Sequence, residues 1–205
     1  MDEAADSEVY ACGFDQAVGG LPPGWRVDTT NPRAGQSAAV WARRADASAP
    51  SPRNVLQLED AARHSGGTYN LCWTDDVQRD DVDLSVGVHA EGGVEDQGGG
   101  PAWRIAGADD YYLARWNPLE DNFRVYSVVD GRRVELDSAD VEADPRAWHT
   151  IRVTHIGSRI TCWFDGEQLL DVSNDAIRAA GGAGVWTKAD ATTRFDDFRV
   201  KAAPR

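Results

Sequence analysis

The sequence predicts an all-β protein, a sandwich or barrel of many short strands, and three observations carry that expectation. Apolar and polar residues alternate with period two in short runs about ten residues apart, Gly-containing dipeptides separate several of those runs, and helical periodicity is almost absent. A chain of 205 residues buries a substantial core in one domain without metals or cross-links.

Residues 1–8 read as an acidic tail, residues 9–201 as one domain and residues 202–205 as a second tail. The Gly- and Pro-rich stretches "VGGLPPGW", "ASAPSPRN" and "EGGVEDQGGGP" read as loops rather than linkers, because strand patterning resumes after each. The clearest strand is "VDLSVGVHA", with Val82, Leu84, Val86 and Val88 on one face and Asp83, Ser85 and His89 on the other.

Asp130-Gly131, Gly157-Ser158 and Asp165-Gly166 each stand between two such runs, and these dipeptides supply the positive φ that tight hairpins need. They define a meander. A helical turn or two is expected around "NDAIRAAGG", ended by Gly181 and Gly182. In "RFDDFRV", Phe198 and Val200 are in phase but Phe195 is not, so either both faces are buried or a bulge falls at Asp196-Asp197.

Composition excludes some functions. A formal net charge of -13, with 34 acidic residues, argues against a nucleic-acid partner and against anionic membrane surfaces, since both need clustered Lys and Arg. No apolar run approaches the roughly 20 residues of a membrane span. Cys12, Cys72 and Cys162 show no CxxC spacing; one disulfide plus a free thiol suits an exported protein, and three buried thiols a cytosolic one. His64, His89, His149 and His155 show no zinc-ligand spacing, and no Gly-x-Ser-x-Gly elbow marks a nucleophile.

The segments "LPPGW", "PRNVLQ", "AWRIAGADDYYLARWNPLEDN", "WHTIRV", "WFDGEQLLDV" and "GVWTKADATTRFDDFRV" cover nearly the whole chain. In that order they resemble a bacterial branch of the concanavalin A-like, laminin G-like jelly rolls, the 3-keto-disaccharide hydrolase or glycoside hydrolase family 16-like group. The resemblance implies two packed antiparallel sheets, one of them curved, with the strand near Phe14 beside that near Phe198. It leaves function open, because such domains act as hydrolases or lyases of glycosides, as carbohydrate-binding modules and as structural modules. It also suggests export to the periplasm or beyond, with the signal ahead of Asp2; a cytoplasmic location is the alternative.

Candidate residues follow from chemistry and from the resemblance together. Eight Trp suit sugar rings, whose C–H faces stack on aromatics while hydroxyls find polar partners; Trp25, Trp148 and Trp163 fall at expected packing positions. In "AWRIAGADDYYLARWNPLEDN", alternation places Trp103 and Ile105 opposite Ala102 and Arg104, so Arg104 and a tyrosine face each other across a hairpin. The expected ligand-binding set is Arg104, Tyr112, Arg115, Asn117, Glu120, Asn122, Trp186, Lys188 and Asp190; the competing reading is that these residues hold loops in place.

Lys188 is one of two lysines. It either orients a sugar stacked on Trp186 or pairs with Asp190 or Asp196 at the end of a strand. Asp196 and Asp197 are candidate ligands of a structural Ca²⁺, which wants about six to eight oxygens; alternatively they accept hydrogen bonds from neighbouring loops.

"ELDSAD" (135–140) is close to the Glu-x-Asp-x-x-Glu of retaining glycosidases, whose two carboxyl groups stand about 5 to 5.5 Å apart. It departs at Asp140 and also reads as a solvated acidic strand end. The expected function is a non-catalytic carbohydrate-binding module. The alternatives are a glycoside hydrolase or lyase, including elimination from 3-keto sugars with Lys188, Asp190 and Arg104 as base and stabilisers, and a structural or interaction domain.

Overall fold

The computed structural model describes residues 8–60 and 66–203. It contains strands β1 (Glu8–Cys12), β2 (Trp25–Thr30), β3 (Val40–Asp46), β4 (Arg53–Asp60), β5 (Tyr69–Arg79), β6 (Val82–Gly92), β7 (Gly100–Gly107) and β8 (Asp110–Asn117). These are followed by β9 (Asn122–Val129), β10 (Arg132–Asp140), β11 (His149–Ile156), β12 (Arg159–Phe164), β13 (Glu167–Ser173), β14 (Gly181–Lys188) and β15 (Thr192–Lys201). All pairings are antiparallel.

Sheet I runs β13-β12-β11-β6-β15-β4-β3, with β1 also on β15, and sheet II runs β10-β9-β8-β7-β14-β5-β2. Of the sandwich and barrel that the alternation left open, the chain adopts the sandwich, in the two-sheet jelly-roll form that the resemblance implies.

The hairpin dipeptides sit where the sequence places them. Asp130 and Gly131 both have positive φ between β9 and β10, as do Asp165 and Gly166 between β12 and β13. Gly157 (φ 60°) opens the turn from β11 to β12.

Residues 174–180 contain no helix. The amide of Ala176 donates to Asn174 Oδ1 and that of Ile177 to the Tyr112 hydroxyl, so side-chain acceptors take the N–H groups that a helix would pair internally. Gly181 and Gly182 begin β14 rather than ending a helix.

Between the sheets, Val82, Leu84, Val86 and Val88 pack with Val153, Ile151, Phe195 and Phe198. Asp197 has φ 50° and the β6–β15 register shifts between Asp196 and Arg199; this bulge lets Phe195 and Phe198 enter the same core. The split also frees one edge of β15 for two partners, β4 at Arg194–Phe195 and β1 at Phe198–Lys201. Phe14, Trp25 and Phe198 meet edge to face, with centroids 5.3 and 5.2 Å apart, which brings the start of the domain beside its end.

Trp148 and Trp163 are half-buried rather than core. Trp148 donates to Ser48 Oγ at 3.2 Å and the Arg152 guanidinium covers Trp163 at 4.8 Å. Cys12, Cys72 and Cys162 are all free thiols, and burial raises the pKa of each.

Sheet II is rolled. Six strand spacings of about 4.8 Å would hold the edges of a flat sheet about 29 Å apart. Instead, Asn31, just past edge strand β2, donates through Nδ2 to the Gly131 carbonyl of the β9–β10 hairpin at 2.9 Å. Thr30 Oγ1 likewise lies 2.8 Å from the Tyr111 hydroxyl of β8. The face turned away from sheet I is therefore concave and encloses a second apolar cluster that includes Tyr69, Leu71, Trp73, Tyr111, Leu113, Tyr126 and Trp186.

Candidate functional site

Alternation along β8, β9, β10 and β14 directs Arg115, Arg124, Glu135 and Lys188 to the concave face, in phase with Tyr111, Tyr126, Arg133 and Trp186. There they form a chain of charges. Lys188 Nζ lies 2.6 Å from Asp96 Oδ2, and Asp96 Oδ1 is 3.7 Å from Arg115. Glu120 then joins Arg115 at 2.8 Å to Arg124 at 3.6 Å, and Arg124 reaches Glu135 at 3.4 Å.

Asp96 is 1% exposed, so its charge depends on Lys188, Arg115 and the Asn117 amide, which donates to Oδ1 at 3.1 Å. The loop carrying Asp96 is held by Asp190. Burial raises the Asp190 carboxyl pKa, but the backbone amides of Val94, Glu95 and Asp96 all donate to it and hold it below the usual carboxylate range. Hydrogen bonding from Asn122, with Arg115 and Arg124 beside it, does the same for Glu120.

Six of the expected ligand residues thus gather in one network: Arg115, Asn117, Glu120, Asn122, Lys188 and Asp190. Its centre, Asp96, was missed, because it lies in a Gly-rich loop without periodicity. Lys188 pairs with Asp96 and not with Asp190 or Asp196; Ala189 (φ 50°) turns the chain, so Asp190 leaves the strand face. Asn117 also fixes its own turn, since its Oδ1 accepts from Leu119 N.

Trp186 shares the concave face but has no exposed surface. Its indole N–H donates to the Tyr111 hydroxyl at 3.1 Å. Over it lies Arg133, whose guanidinium carbon is 4.4 Å from the Tyr126 ring centroid, 5.0 Å from Tyr69 and 5.7 Å from Trp186. A ring stacked directly on Trp186 has no open face to use.

Arg104 and Tyr112 lie elsewhere. Arg104 has φ 49°, which flips the phase of β7, so Trp103 enters the inter-sheet core while Ile105 joins the concave cluster; the expectation that these two share a face is corrected. The Arg104 guanidinium donates to the carbonyls of Asp80, Ile177 and Gly157 at 2.6, 2.7 and 2.9 Å, tying three loops together. Above it is a polar pocket of about 390 Å³, lined also by Asp81, Ser158, Asp175 and Arg178. Tyr112 is wholly buried, its hydroxyl donating to Asn174 Oδ1 at 2.7 Å. Beside it, burial and the Arg104 charge lower the His155 pKa to about 3.

Asp196 Oδ2 accepts from Ser51 N, and its Oδ1 from Ser51 Oγ and Asp197 N, all at 2.7 Å. Asp197 pairs with Arg199. The three donors to Asp196 occupy most of its carboxylate, which is the loop-bonding arrangement expected as the alternative to a metal.

The glycosidase-like carboxylates separate as well. The β9–β10 register shifts between Glu135 and Asp137. Glu135 then faces Arg124 on the concave side, while Asp137 accepts from Asp171 N of β13 at 3.3 Å. His64 lies outside the described residues. His149 Nδ1 is hydrogen-bonded with Asp165 and His89 Nε2 with the Arg146 carbonyl.

These features define an all-β jelly-roll sandwich with a rolled sheet and a charged concave rim. No family model and no curated protein matches the sequence, whereas solved structures share the fold. The carbohydrate binding module CBM66 from Bacillus subtilis is similar with a TM-score of 0.68 and 16% identity, over 87% of this chain and 96% of that one. The cellulose induced protein Cip1 is similar with a TM-score of 0.68 and 14% identity, over 96% and 98%. The VIP36 exoplasmic/lumenal domain in its Ca2+/Man-bound form is similar with a TM-score of 0.54 and 14% identity, over 87% and 83%. No helix among the described residues is long and apolar enough to cross a membrane.

Proposed function

We propose that this protein binds carbohydrate without transforming it, through the concave face of sheet II. The observation that carries the reading is the rim itself. Lys188, Glu120, Arg124 and Glu135 stand in a fixed chain beside Tyr69 and Arg133 on a curved sheet face. Such a face offers sugar hydroxyls alternating donors and acceptors at little cost in side-chain entropy.

The fold likeness supports this, because nearly the whole of a carbohydrate binding module corresponds to nearly the whole of this chain. An exported location accompanies the reading. At the finer level the sequence motifs favour the 3-keto-disaccharide hydrolase-like group. Its chemistry gains no support, since Arg104 is bound to three carbonyls and Lys188 to Asp96.

Screening immobilised neutral and acidic glycans, followed by titration of hits, tests the proposal. Binding at millimolar or lower concentration with intact ligand recovered is expected, weakened at least several-fold by Glu120→Gln or Arg124→Ala. No binder in the screen overturns the proposal, and so does cleavage of a bound glycan.

A further inference from the structure

We infer that Arg133 recognises a carboxylate, so that the glycan bound at the concave face carries uronic acid units. This rests on the carbohydrate-binding reading and adds the ligand's charge to it.

Each other cation of the face has an acidic partner. Lys188 has Asp96, Arg115 has Glu120, and Arg124 has Glu120 and Glu135. Arg133 has neither an ion pair nor a hydrogen bond to any described residue, and its Nη1 is buried without an acceptor. Nη1 has no exposed surface for a ligand to meet, so the Nε and Nη2 donors, which also lack a partner, are the ones left open.

The position is nevertheless well held. Three rings fix the guanidinium through cation–π attraction, which keeps the charge but supplies no acceptor for its N–H groups. The planar Nε–Nη2 edge of a guanidinium fixed in this way is pre-organised for bidentate carboxylate binding.

The setting makes the positive charge selective. The chain carries a net charge of -13, which repels an anion at long range, so recognition of a carboxylate rests on this local group alone. The neighbouring carboxylates Glu120 and Glu135 are engaged by Arg115 and Arg124, so they do not compete for Arg133. A neutral sugar would leave the guanidinium unpaired, whereas a uronate would pair it.

Titration calorimetry with a uronic acid trisaccharide and with its carboxyl-reduced neutral counterpart tests the inference. The wild-type protein is expected to prefer the uronate by about tenfold or more. Arg133→Gln should remove that preference while keeping the neutral affinity, and Arg133→Lys, which keeps the charge but not the fork, should lower it.

Thermal melts of the variants check folding. Should Arg133→Gln unfold, Arg133→Lys and the wild-type preference decide. Equal wild-type affinity for the two sugars overturns this inference and leaves the carbohydrate reading standing. An undiminished preference in Arg133→Gln or Arg133→Lys also overturns it. Failure of both sugars and of the wider glycan screen to bind overturns both.

Discussion

Lys188 Nζ meets Asp96 Oδ2 at 2.6 Å across 92 residues of sequence, joining the end of β14 to the loop between β6 and β7. The pair closes one end of the charged rim and neutralises a carboxylate that is 1% exposed. Removing the lysine alone leaves that carboxylate to Arg115, 3.7 Å away, and Asn117. Lys188→Met should therefore destabilise the fold by about 3 kcal/mol, the low end for breaking a buried pair. Adding Asp96→Leu should restore part of that loss. Urea unfolding of the two single variants and the double variant measures the coupling.

Arg104→Ala should lower the melting temperature by several degrees, because it strips donors from the carbonyls of Asp80, Ile177 and Gly157 together. Amide exchange should rise in residues 174–180 and at the β11–β12 turn. The concave face, which Arg104 does not touch, should keep its glycan affinity. Loss of binding with an unchanged melt would instead place the ligand in the pocket above Arg104.

Acid should destabilise the protein through His155. Its pKa is held at about 3 against about 6.5 in the unfolded chain, so the unfolded state binds the extra proton between these values. This contribution is whole above about pH 6.5 and is lost as the pH falls toward 3, at up to about 1.4 kcal/mol per unit. Asp190 and Glu120, whose carboxyls are held low, add losses in the same direction at the acid end. His155→Gln, which keeps an acceptor for the Trp103 indole N–H, should flatten the stability curve between pH 6 and 4; an unchanged slope would refute the assignment.

Chelation should leave the melting midpoint unchanged, since Ser51 and the Asp197 amide already satisfy Asp196. Ser51→Ala should lower it, because burial already pushes the Asp196 carboxyl up and removing the hydroxyl takes away one of its donors. A midpoint that falls with chelator and returns with calcium would favour the metal reading instead.

Gly184→Ala should cost about 3 kcal/mol, the upper part of the range for overpacking. A Cβ there would overlap the Cys72 carbonyl oxygen and the Trp73 backbone, so it presses β14 off β5. Circular dichroism melts measure it.

Much of the fold was legible because it is local. Alternation and turn chemistry act over a few residues, so "VDLSVGVHA" and the dipeptides at 130–131, 157–158 and 165–166 could be read directly. The phase break at Phe195 likewise signalled the Asp196-Asp197 bulge. Arg104 gave no such signal: nothing in "AWRIAG" announces a positive φ at an arginine, and the faces of Trp103 and Ile105 were misread for that reason.

By itself the sequence determined the short-strand all-β pattern, the meander and the face of Lys188, since strand phase and turn chemistry are local. The run from Arg115 to Asn122 was marked by its family resemblance, and Asp96, Arg124 and Arg133 by neither. Only the tertiary structure decided what those residues touch. The roll of sheet II, visible in the contact from Asn31 to Gly131, is a sum of small twists over the whole sheet. That roll buries Trp186, seats Arg133 on three rings and leaves its charge without a partner. Such pairings depend on distances across the fold, which no spacing along the chain encodes.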